Sequence, residues 1–319
     1  MCLYTKILPN PKYQPNRKNR GFVPKAPSTH VLAIPAACGR CSECRKQKAN
    51  EWRVRLNEEL RKNPTDKFIT LTFSDEALEK FEEAGANEVA SRAVELFRKR
   101  WYKKYKKGIK HWLIVELGHK AKHPWERSTE RVHLHGILWT SKTKEEIEKI
   151  WSYGWIDLGE YVNERSINYI VKYVTKIDPS HPGFMGKIFT SKGIGAGYEK
   201  RIDAKRNEFK EDETDERYRT PSGLIMAMPV YYRNKIYTEE EREKLWCHKI
   251  DKEIIYKGKI AYDISTRKGL RSLWEAEEYM RKMDERDGYP KWPWKKEIYA
   301  KKGGKLVLNK KTDYISGGS

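Results

Sequence analysis

The sequence has no long apolar run, and none of its hydrophobic stretches approaches the roughly 18 consecutive residues of a membrane-spanning helix. The first twenty residues, MCLYTKILPNPKYQPNRKNR, also lack the apolar core of a secretion signal. Hydrophobic residues make up only 38% of the 319 residues, below the roughly 45–50% that is usual for soluble domains. These absences predict a cytoplasmic protein with a large polar surface and no membrane partner.

Acidic residues are in the minority, because 45 Asp and Glu face 66 Lys and Arg and leave a net charge of +21. Such an excess favours a polyanionic partner, and nucleic acid is the first candidate. Near the carboxyl end, KWPWKKEIYAKKGGKLVLNKK interleaves Trp292 and Trp294 with cations, a mixture that lets bases stack while phosphates are neutralised. A solvated basic tail is an equally good interpretation of this stretch.

A nucleotide-binding P-loop is excluded, because the glycine-rich stretch GKIFTSKGIGAGY lacks the pattern G-x-x-x-x-G-K-[ST]. This stretch is typical of an ordinary connector, and a flexible loop that contacts DNA is the alternative.

Cysteine is scarce, and its number is odd. Three of the five cysteines, Cys38, Cys41 and Cys44, lie within seven residues, whereas Cys247 stands alone and is expected to be a buried thiol. In a reducing compartment such crowding indicates a metal more than a disulfide. With Cys2 joining through a folded amino-terminal arm, four thiolates would suit structural Zn²⁺. An iron–sulfur cluster and simple reduced thiols are the alternatives.

The periodicity of apolar residues predicts an α+β fold with a central, mainly antiparallel sheet and helices to one side. The chain divides into a Cys-rich basic segment (1–66) with one helix and no strong strand signal, a core (67–180), and a basic extension (181–319) of irregular and helical pieces. Predicted core elements are strands at Lys67–Phe73, His111–Gly118 and Arg131–Trp139, helices at Glu88–Tyr105, after Lys142 and in SINYIVKYVTK, and a short strand or turn in YGWIDLG.

Two histidines in the predicted strand RVHLHGILW are separated by one residue. Residues i and i+2 of a strand share a face, so His133 and His135 can present both imidazoles to one divalent ion. The spacing alone is weak evidence, and packing or surface histidines are the alternative. Glu116, in the preceding predicted strand, is the best third ligand, and Glu126 and Glu130 of the intervening loop are weaker candidates.

A second group of functional residues lies on the predicted helix NYIVKYVTK. Tyr169 and Tyr173 are four residues apart and share one face, with Lys172 and Lys176 close by. A tyrosine hydroxyl near cations is easier to deprotonate, and a phenolate can attack phosphorus to form a covalent intermediate. An amphipathic helix with two packing tyrosines is the simpler interpretation of this segment taken alone.

The two motifs in this order resemble the HUH endonucleases, the rolling-circle replication initiators that are named for a His-hydrophobe-His metal motif. More narrowly, CGRCSECRKQKANEW, FITLTF, HLHGILW, WSYGWIDLG and YIVKYVTK look like the replication initiation proteins of microviruses, especially gokushovirus-like members. The resemblance covers roughly residues 38–180.

The resemblance implies a split β-α-β sheet on which His133, His135 and Glu116 bind Mg²⁺ or Mn²⁺. Tyr169 and Tyr173 would attack DNA in turn, leaving a 5′-phosphotyrosine and a free 3′-hydroxyl, and Lys172 would offset charge on the phosphorane, with Lys176 a less certain helper. The partners would be a single-stranded DNA origin and host replication proteins in the bacterial cytoplasm. One departure is the long segment between Glu116 and His133, which leaves the role of Glu116 to rest on strand topology.

Two other functions compete with this one. A non-catalytic DNA-binding or packaging protein would use the same basic surface and a cysteine-held zinc, and would bind DNA without cutting it. A relaxase or transposase would share the chemistry, but relaxases commonly carry their tyrosine before the histidines, whereas here it follows them.

Overall fold

A computed structural model describes residues 2–63, 66–81, 85–118, 131–159, 161–178, 181, 183–257, 260–289, 299–302 and 305–308. The strands are β1 (Lys6–Pro9), β2 (Ala33–Ala36), β3 (Asp66–Leu71), β4 (Lys110–Leu117), β5 (Val132–Trp139), β6 (Ile156–Gly159), β7 (Ile188–Thr190), β8 (Arg217–Arg219), β9 (Ile225–Ala227), β10 (Ile254–Lys257), β11 (Ile260–Asp263), β12 (Tyr299–Lys302) and β13 (Lys305–Leu308). The α-helices are α1 (Ser42–Leu60), α2 (Asp75–Glu79), α3 (Ala86–Tyr105), α4 (Lys144–Trp151), α5 (Glu164–Thr175), α6 (Val230–Ile236), α7 (Glu239–Asp251) and α8 (Arg267–Arg286). Among these helices, none combines the length and the apolar character that crossing a membrane would require.

The central sheet has five strands in the order β6-β3-β5-β4-β7, and every neighbouring pair is antiparallel. This confirms the predicted α+β class and the adjacency of the two strands that carry Glu116 and the histidines. The fifth strand, β7, follows the tyrosine helix and comes from the glycine-rich stretch for which the sequence predicts a connector or loop. The sheet therefore extends beyond residue 180, the predicted end of the core.

Helices pack on both faces of the sheet, so the expectation of helices to one side is wrong. On one face α3 and α4 bury Phe97, Trp101 and Trp151 against Leu113 and Leu134. On the other face α1 and α5 pack against the alternate residues of the same strands, including Trp112, Ile114 and Ile137. Both central strands are buried on both faces, which explains why WLIVELG is an almost continuous apolar run.

The first 66 residues contain a strand pair that their sequence does not indicate. Strand β1 pairs antiparallel with β2, in a register that places Ile7 opposite Pro35 and Pro9 opposite Ala33. The two strands are short, carry prolines and are largely exposed. Because they bury no regular face, they have no period-2 pattern that sequence analysis could detect.

The helix α1 joins the sheet to the carboxyl-terminal part of the chain. Its buried Glu58 accepts two hydrogen bonds from Arg201 (3.0 and 2.9 Å) and one from the Tyr218 hydroxyl. Around it lies a third core, which includes Val54 of α1, Tyr198, Met226, Tyr232 and Leu245. Residues 198–245 are thus packed on α1, and α5 lies on the same helix where α1 covers the sheet.

Candidate active site

The register of β4 and β5 brings an acidic and two imidazole side chains together on the face of the sheet that α5 covers. Glu116 lies directly opposite His133, and Ile114 lies opposite His135. One carboxylate oxygen of Glu116, Oε2, is 3.1 Å from Nε2 of His133 and 2.8 Å from Nε2 of His135. We call these three residues the His–Glu cluster.

The outer nitrogen of each imidazole already has a hydrogen-bond partner. Nδ1 of His133 lies 3.0 Å from the carbonyl oxygen of Arg131, and Nδ1 of His135 lies 3.1 Å from Oγ1 of Thr70. An imidazole that donates its Nδ1 proton presents the lone pair of Nε2, which is the usual arrangement of a metal-binding histidine. Two lone pairs and a carboxylate oxygen then converge on one point, a set of acceptors that fits a divalent cation.

A lysine from the end of α5 also reaches this point. Lys176 is the C-cap residue of α5, and its Nζ forms an ion pair with Oε1 of Glu116. Burial by itself raises the pKa of Glu116, but hydrogen bonds from His133, His135 and Lys176 outweigh it and hold this pKa well below its usual range. Glu116 is therefore a carboxylate at neutral pH and can offer its charge to a metal.

Helix α5 suspends both candidate nucleophiles above the His–Glu cluster. Its apolar side, Ile167, Ile170, Val171 and Val174, is buried, and Asn163 caps its amino end by accepting a hydrogen bond from the Ser166 amide. The ring of Tyr173 stacks on His135, with centroids 4.4 Å apart and planes inclined by 11°. The hydroxyl of Tyr173 donates to that of Tyr169 at 2.8 Å.

The two tyrosines differ in exposure and electrostatics. Tyr169 is 45% exposed, and the ammonium of Lys172 lies 4.0 Å from the centroid of its ring. Burial, the hydrogen bond with Tyr169 and the charge of Glu116 raise the pKa of Tyr173 well above its usual value. The expectation that nearby cations ease deprotonation is therefore wrong for Tyr173, because its carboxylate neighbour and its burial outweigh the lysines.

The glycine that follows the histidines has a structural reason that sequence analysis missed. A Cβ at Gly136 would lie 2.2 Å from the carbonyl oxygen of Trp112 and 2.9 Å from the Cα of Leu113. A side chain at this position would push β4 away from β5. The glycine thus keeps Glu116 within hydrogen-bond distance of His133 and His135.

Exposed aromatic side chains at the sheet edge were also missed. Trp155 and Tyr161 flank β6 and are 56% and 79% exposed, and Nζ of Lys144 lies 5.0 Å from the Trp155 ring centroid. Strand β6 pairs with β3, whose Phe68 contacts the ring of Tyr169 at a centroid distance of 6.1 Å. Aromatic and basic side chains therefore continue from the tyrosine helix towards this edge. The other aromatic candidates, Trp292 and Trp294, lie outside the described residues.

A second group of metal-ligand type lies away from the sheet. The structure brings Cys2 to Cys38, Cys41 and Cys44, and all four Sγ atoms lie within 4.8 Å of one another. We call these residues the cysteine cluster. Cys247 is a partly exposed free thiol, so the expectation that it is buried is wrong.

The geometry defines a class before any comparison: an antiparallel sheet that carries two histidines and a glutamate beneath a helix with two tyrosines. Residues 66–178, about a third of the chain, match the model of a family described as replication-associated protein ORF2. The match runs from β3 to the end of α5 and includes every residue of the His–Glu cluster and both tyrosines. No curated protein and no solved structure gives a significant match. The similarity of this segment supports a replication initiation protein.

Proposed function

We propose that this protein is a metal-dependent, site-specific endonuclease of the HUH type that nicks and rejoins single-stranded DNA. Its role would be to initiate rolling-circle replication of a small single-stranded DNA phage related to the gokushovirus-like microviruses, in the cytoplasm of the bacterial host. The observation that carries the proposal is the position of Tyr169 and Tyr173 directly above the His–Glu cluster. The family match of the same segment to replication-associated proteins supports the biological role.

The His–Glu cluster fits a single divalent cation, which would supply positive charge to an oxygen of the scissile phosphate. Two imidazoles with one carboxylate suit Mn²⁺ somewhat better than Mg²⁺, which prefers oxygen ligands. Thr70 and the Arg131 carbonyl orient the two imidazoles. Lys176 balances the charge of Glu116 until the cation arrives.

Tyr169 is the better placed nucleophile for the first cut. Its hydroxyl accepts the proton of the Tyr173 hydroxyl, so its own proton is directed elsewhere and its ring is accessible to DNA. Attack by its oxygen on phosphorus forms the tyrosine–phosphate bond and breaks the bond to the 3′ oxygen. The phenol loses one proton and the 3′ oxygen gains one, which gives the 5′-phosphotyrosine and the free 3′-hydroxyl. Tyr173, held by its stacking on His135, would make the second attack.

Affinity for the DNA would come from the basic surface and from exposed rings. Trp155 and Tyr161 at the edge of the sheet offer stacking surfaces near the tyrosine helix. Stacking of bases on aromatic rings tolerates any sequence, whereas lysines and arginines neutralise the backbone. This combination suits a single strand better than a duplex, whose bases are already stacked.

The test is a cleavage assay with the full chain, Mn²⁺ and single-stranded oligonucleotides that cover the phage origin. We expect a covalent protein–DNA adduct that survives denaturing electrophoresis. Tyr169→Phe should remove most of the adduct from the first cut, and the Tyr169→Phe/Tyr173→Phe double variant should remove all of it. Tyr153→Phe is a matched control, because this tyrosine packs in the core on the opposite side of the sheet.

An adduct that persists in the double variant would reject the tyrosines as nucleophiles. Salt-sensitive DNA binding without an adduct, in any divalent metal, would instead support the non-catalytic DNA-binding protein. Joining of a second strand to the released 3′-hydroxyl is expected for a replication initiator and separates it from a simple nuclease.

A further inference from the structure

The cysteine cluster is built from three segments that are separate in the sequence. Cys2 belongs to the amino-terminal arm, Cys38 to the loop after β2, and Cys41 and Cys44 to the amino end of α1. Cys41 is fully buried, and Cys2 and Cys44 are 8% and 9% exposed. The Sγ atoms of Cys38 and Cys44 are 3.9 Å apart. None of the four forms a disulfide.

Backbone amides point at these sulfur atoms. The amides of Tyr4 and Cys38 donate to Sγ of Cys2 at 3.3 and 3.2 Å. Those of Arg40 and Cys41 donate to Sγ of Cys38, both at 3.4 Å. A neutral thiol is a weak acceptor, so amides arranged in this way suit thiolates. Cys41 and Cys44 also lie at the amino end of α1, where the helix dipole favours negative charge.

We propose that the cysteine cluster binds one structural zinc ion through four thiolates. Tetrahedral Zn²⁺ with bonds of about 2.3 Å holds its sulfur atoms about 3.8 Å apart, and this agrees with the 3.9 Å between Cys38 and Cys44. An iron–sulfur cluster would require wider spacing, because each thiolate then binds a different iron atom. Zinc binding releases the thiol protons and leaves a closed site with no open position for a substrate.

The zinc would fasten the amino-terminal arm to α1 and to α8, two elements far apart in the sequence. Oδ2 of Asp284 in α8 accepts a hydrogen bond from the Ser42 amide at 2.9 Å, and Nε of Arg281 donates to the carbonyl of Leu3 at 2.9 Å. Met280 packs on the four cysteines. The apolar contacts of this group are few, so a metal is the main source of stability that the segment contains.

The same end of α1 also contacts the tyrosine helix. Arg45 follows Cys44, is 2% exposed and donates through Nη1 to the carbonyl oxygen of Lys176 at 3.1 Å. The Tyr289 hydroxyl, in the segment after α8, donates to the carbonyl oxygen of Thr175 at 3.1 Å. Both contacts end on the last residues of α5. The zinc therefore holds the two groups that position the carboxyl end of the tyrosine helix, and Arg45 is a positioning residue.

The test of the site does not depend on nuclease activity. The full chain is purified without chelators, its metals are counted by mass spectrometry, and the zinc ligands are identified by X-ray absorption. We expect one zinc per chain with four sulfur neighbours at about 2.3 Å. Cobalt substitution should give the thiolate-to-cobalt charge-transfer band and the intense visible bands of tetrahedral Co²⁺.

Variants separate this site from the His–Glu cluster. Cys41→Ser should lose the sulfur-bound zinc, whereas Cys247→Ser, the matched control at the thiol outside the cluster, should keep it. Iron in place of zinc, a disulfide in the reduced chain, nitrogen and oxygen neighbours in the absorption spectrum, or a folded chain without metal would each overturn the proposal. An intact zinc site in a chain that forms no DNA adduct would reject the proposed function alone.

Discussion

The His–Glu cluster and the cysteine cluster are both built for a cation, but they differ in almost every other respect. The His–Glu cluster lies on two adjacent strands of a rigid sheet, offers three ligands and opens towards two tyrosines. The cysteine cluster joins three chain segments, offers four ligands and is largely buried. In the first, a lysine already pairs with the carboxylate, whereas backbone amides surround the sulfur atoms of the second.

The comparison teaches which cluster the fold needs and which one the chemistry needs. Hydrogen bonds of the sheet hold Glu116, His133 and His135 in place without a metal, so the cation there can exchange. The sulfur atoms have no such scaffold, so a metal would hold the segments together. An open three-ligand site is typical of catalysis, and a closed four-thiolate site is typical of structure.

Chelation should give the largest difference between the two clusters. Brief dialysis against EDTA is expected to reduce adduct formation by at least about 1,000-fold, because a cation at the phosphate contributes several kcal/mol to the transition state. Added Mn²⁺ should restore it fully. The sulfur-bound zinc should remain after the same treatment, as measured by mass spectrometry. Loss of both metals at the same rate would contradict the proposed difference.

Replacing a single thiolate should mainly affect stability. Cys44→Ser is expected to lower the free energy of unfolding by about 3 kcal/mol, since loss of a metal is among the most destabilising changes. For a chain of this size the corresponding fall in Tm is about 6–12 °C. Cys247→Ser, and His135→Ala in the sheet, should each cost much less in thermal denaturation. A Cys44→Ser variant as stable as the parent would remove the structural role.

Arg45→Met tests whether the clusters communicate. The variant keeps much of the side-chain volume but loses the hydrogen bond to Lys176, so the end of α5 can shift relative to His135. We expect adduct formation to slow about 10-fold, because small misplacements of a nucleophile are costly. Metal counts should not change. Arg53→Met is the control, because this arginine lies on the same helix and donates to the side chain of Asn50. Equal rates for the two variants would show that the clusters act independently.

Lys176→Met should produce the smallest effect. The lysine competes with a divalent cation for Glu116, so its removal is expected to tighten Mn²⁺ binding by about 5-fold, a modest change because the lysine side chain is half exposed. Calorimetric titration of Mn²⁺ measures it, with Lys172→Met as the control that leaves Glu116 untouched. Weaker binding in the Lys176 variant would mean that the lysine assists the metal instead of competing with it.

Much of the core could be predicted because its signals are local. Period-2 and period-3.6 patterns locate β3, β4, β5, α3 and α5, and the confirmed adjacency of β4 and β5 places Glu116 beside the histidines. The four cysteines can be grouped from spacing and chemistry, and the structure brings them together. The roles of these residues as metal ligands and nucleophiles stay predictions.

What could not be predicted depends on contacts between distant segments. The sequence places Lys176 near the tyrosines, but its pairing with Glu116 requires knowing where the end of α5 meets β4. Gly136 resembles any strand glycine until the Trp112 carbonyl is placed against it. The raised pKa of Tyr173 depends on burial and on a carboxylate 57 positions away in the chain, neither of which the lysines beside it reveal.

The order of strands also constrains how the tyrosine helix moves. Helix α5 follows β6 and precedes β7, and these two strands are the opposite edges of the sheet. The helix is thus tethered at each end to a different edge, like a strap across the sheet. Its amides should exchange with solvent only in openings that also release an edge strand. The nucleophiles would then stay in register with the histidines through both cuts, and the DNA ends would have to move past them.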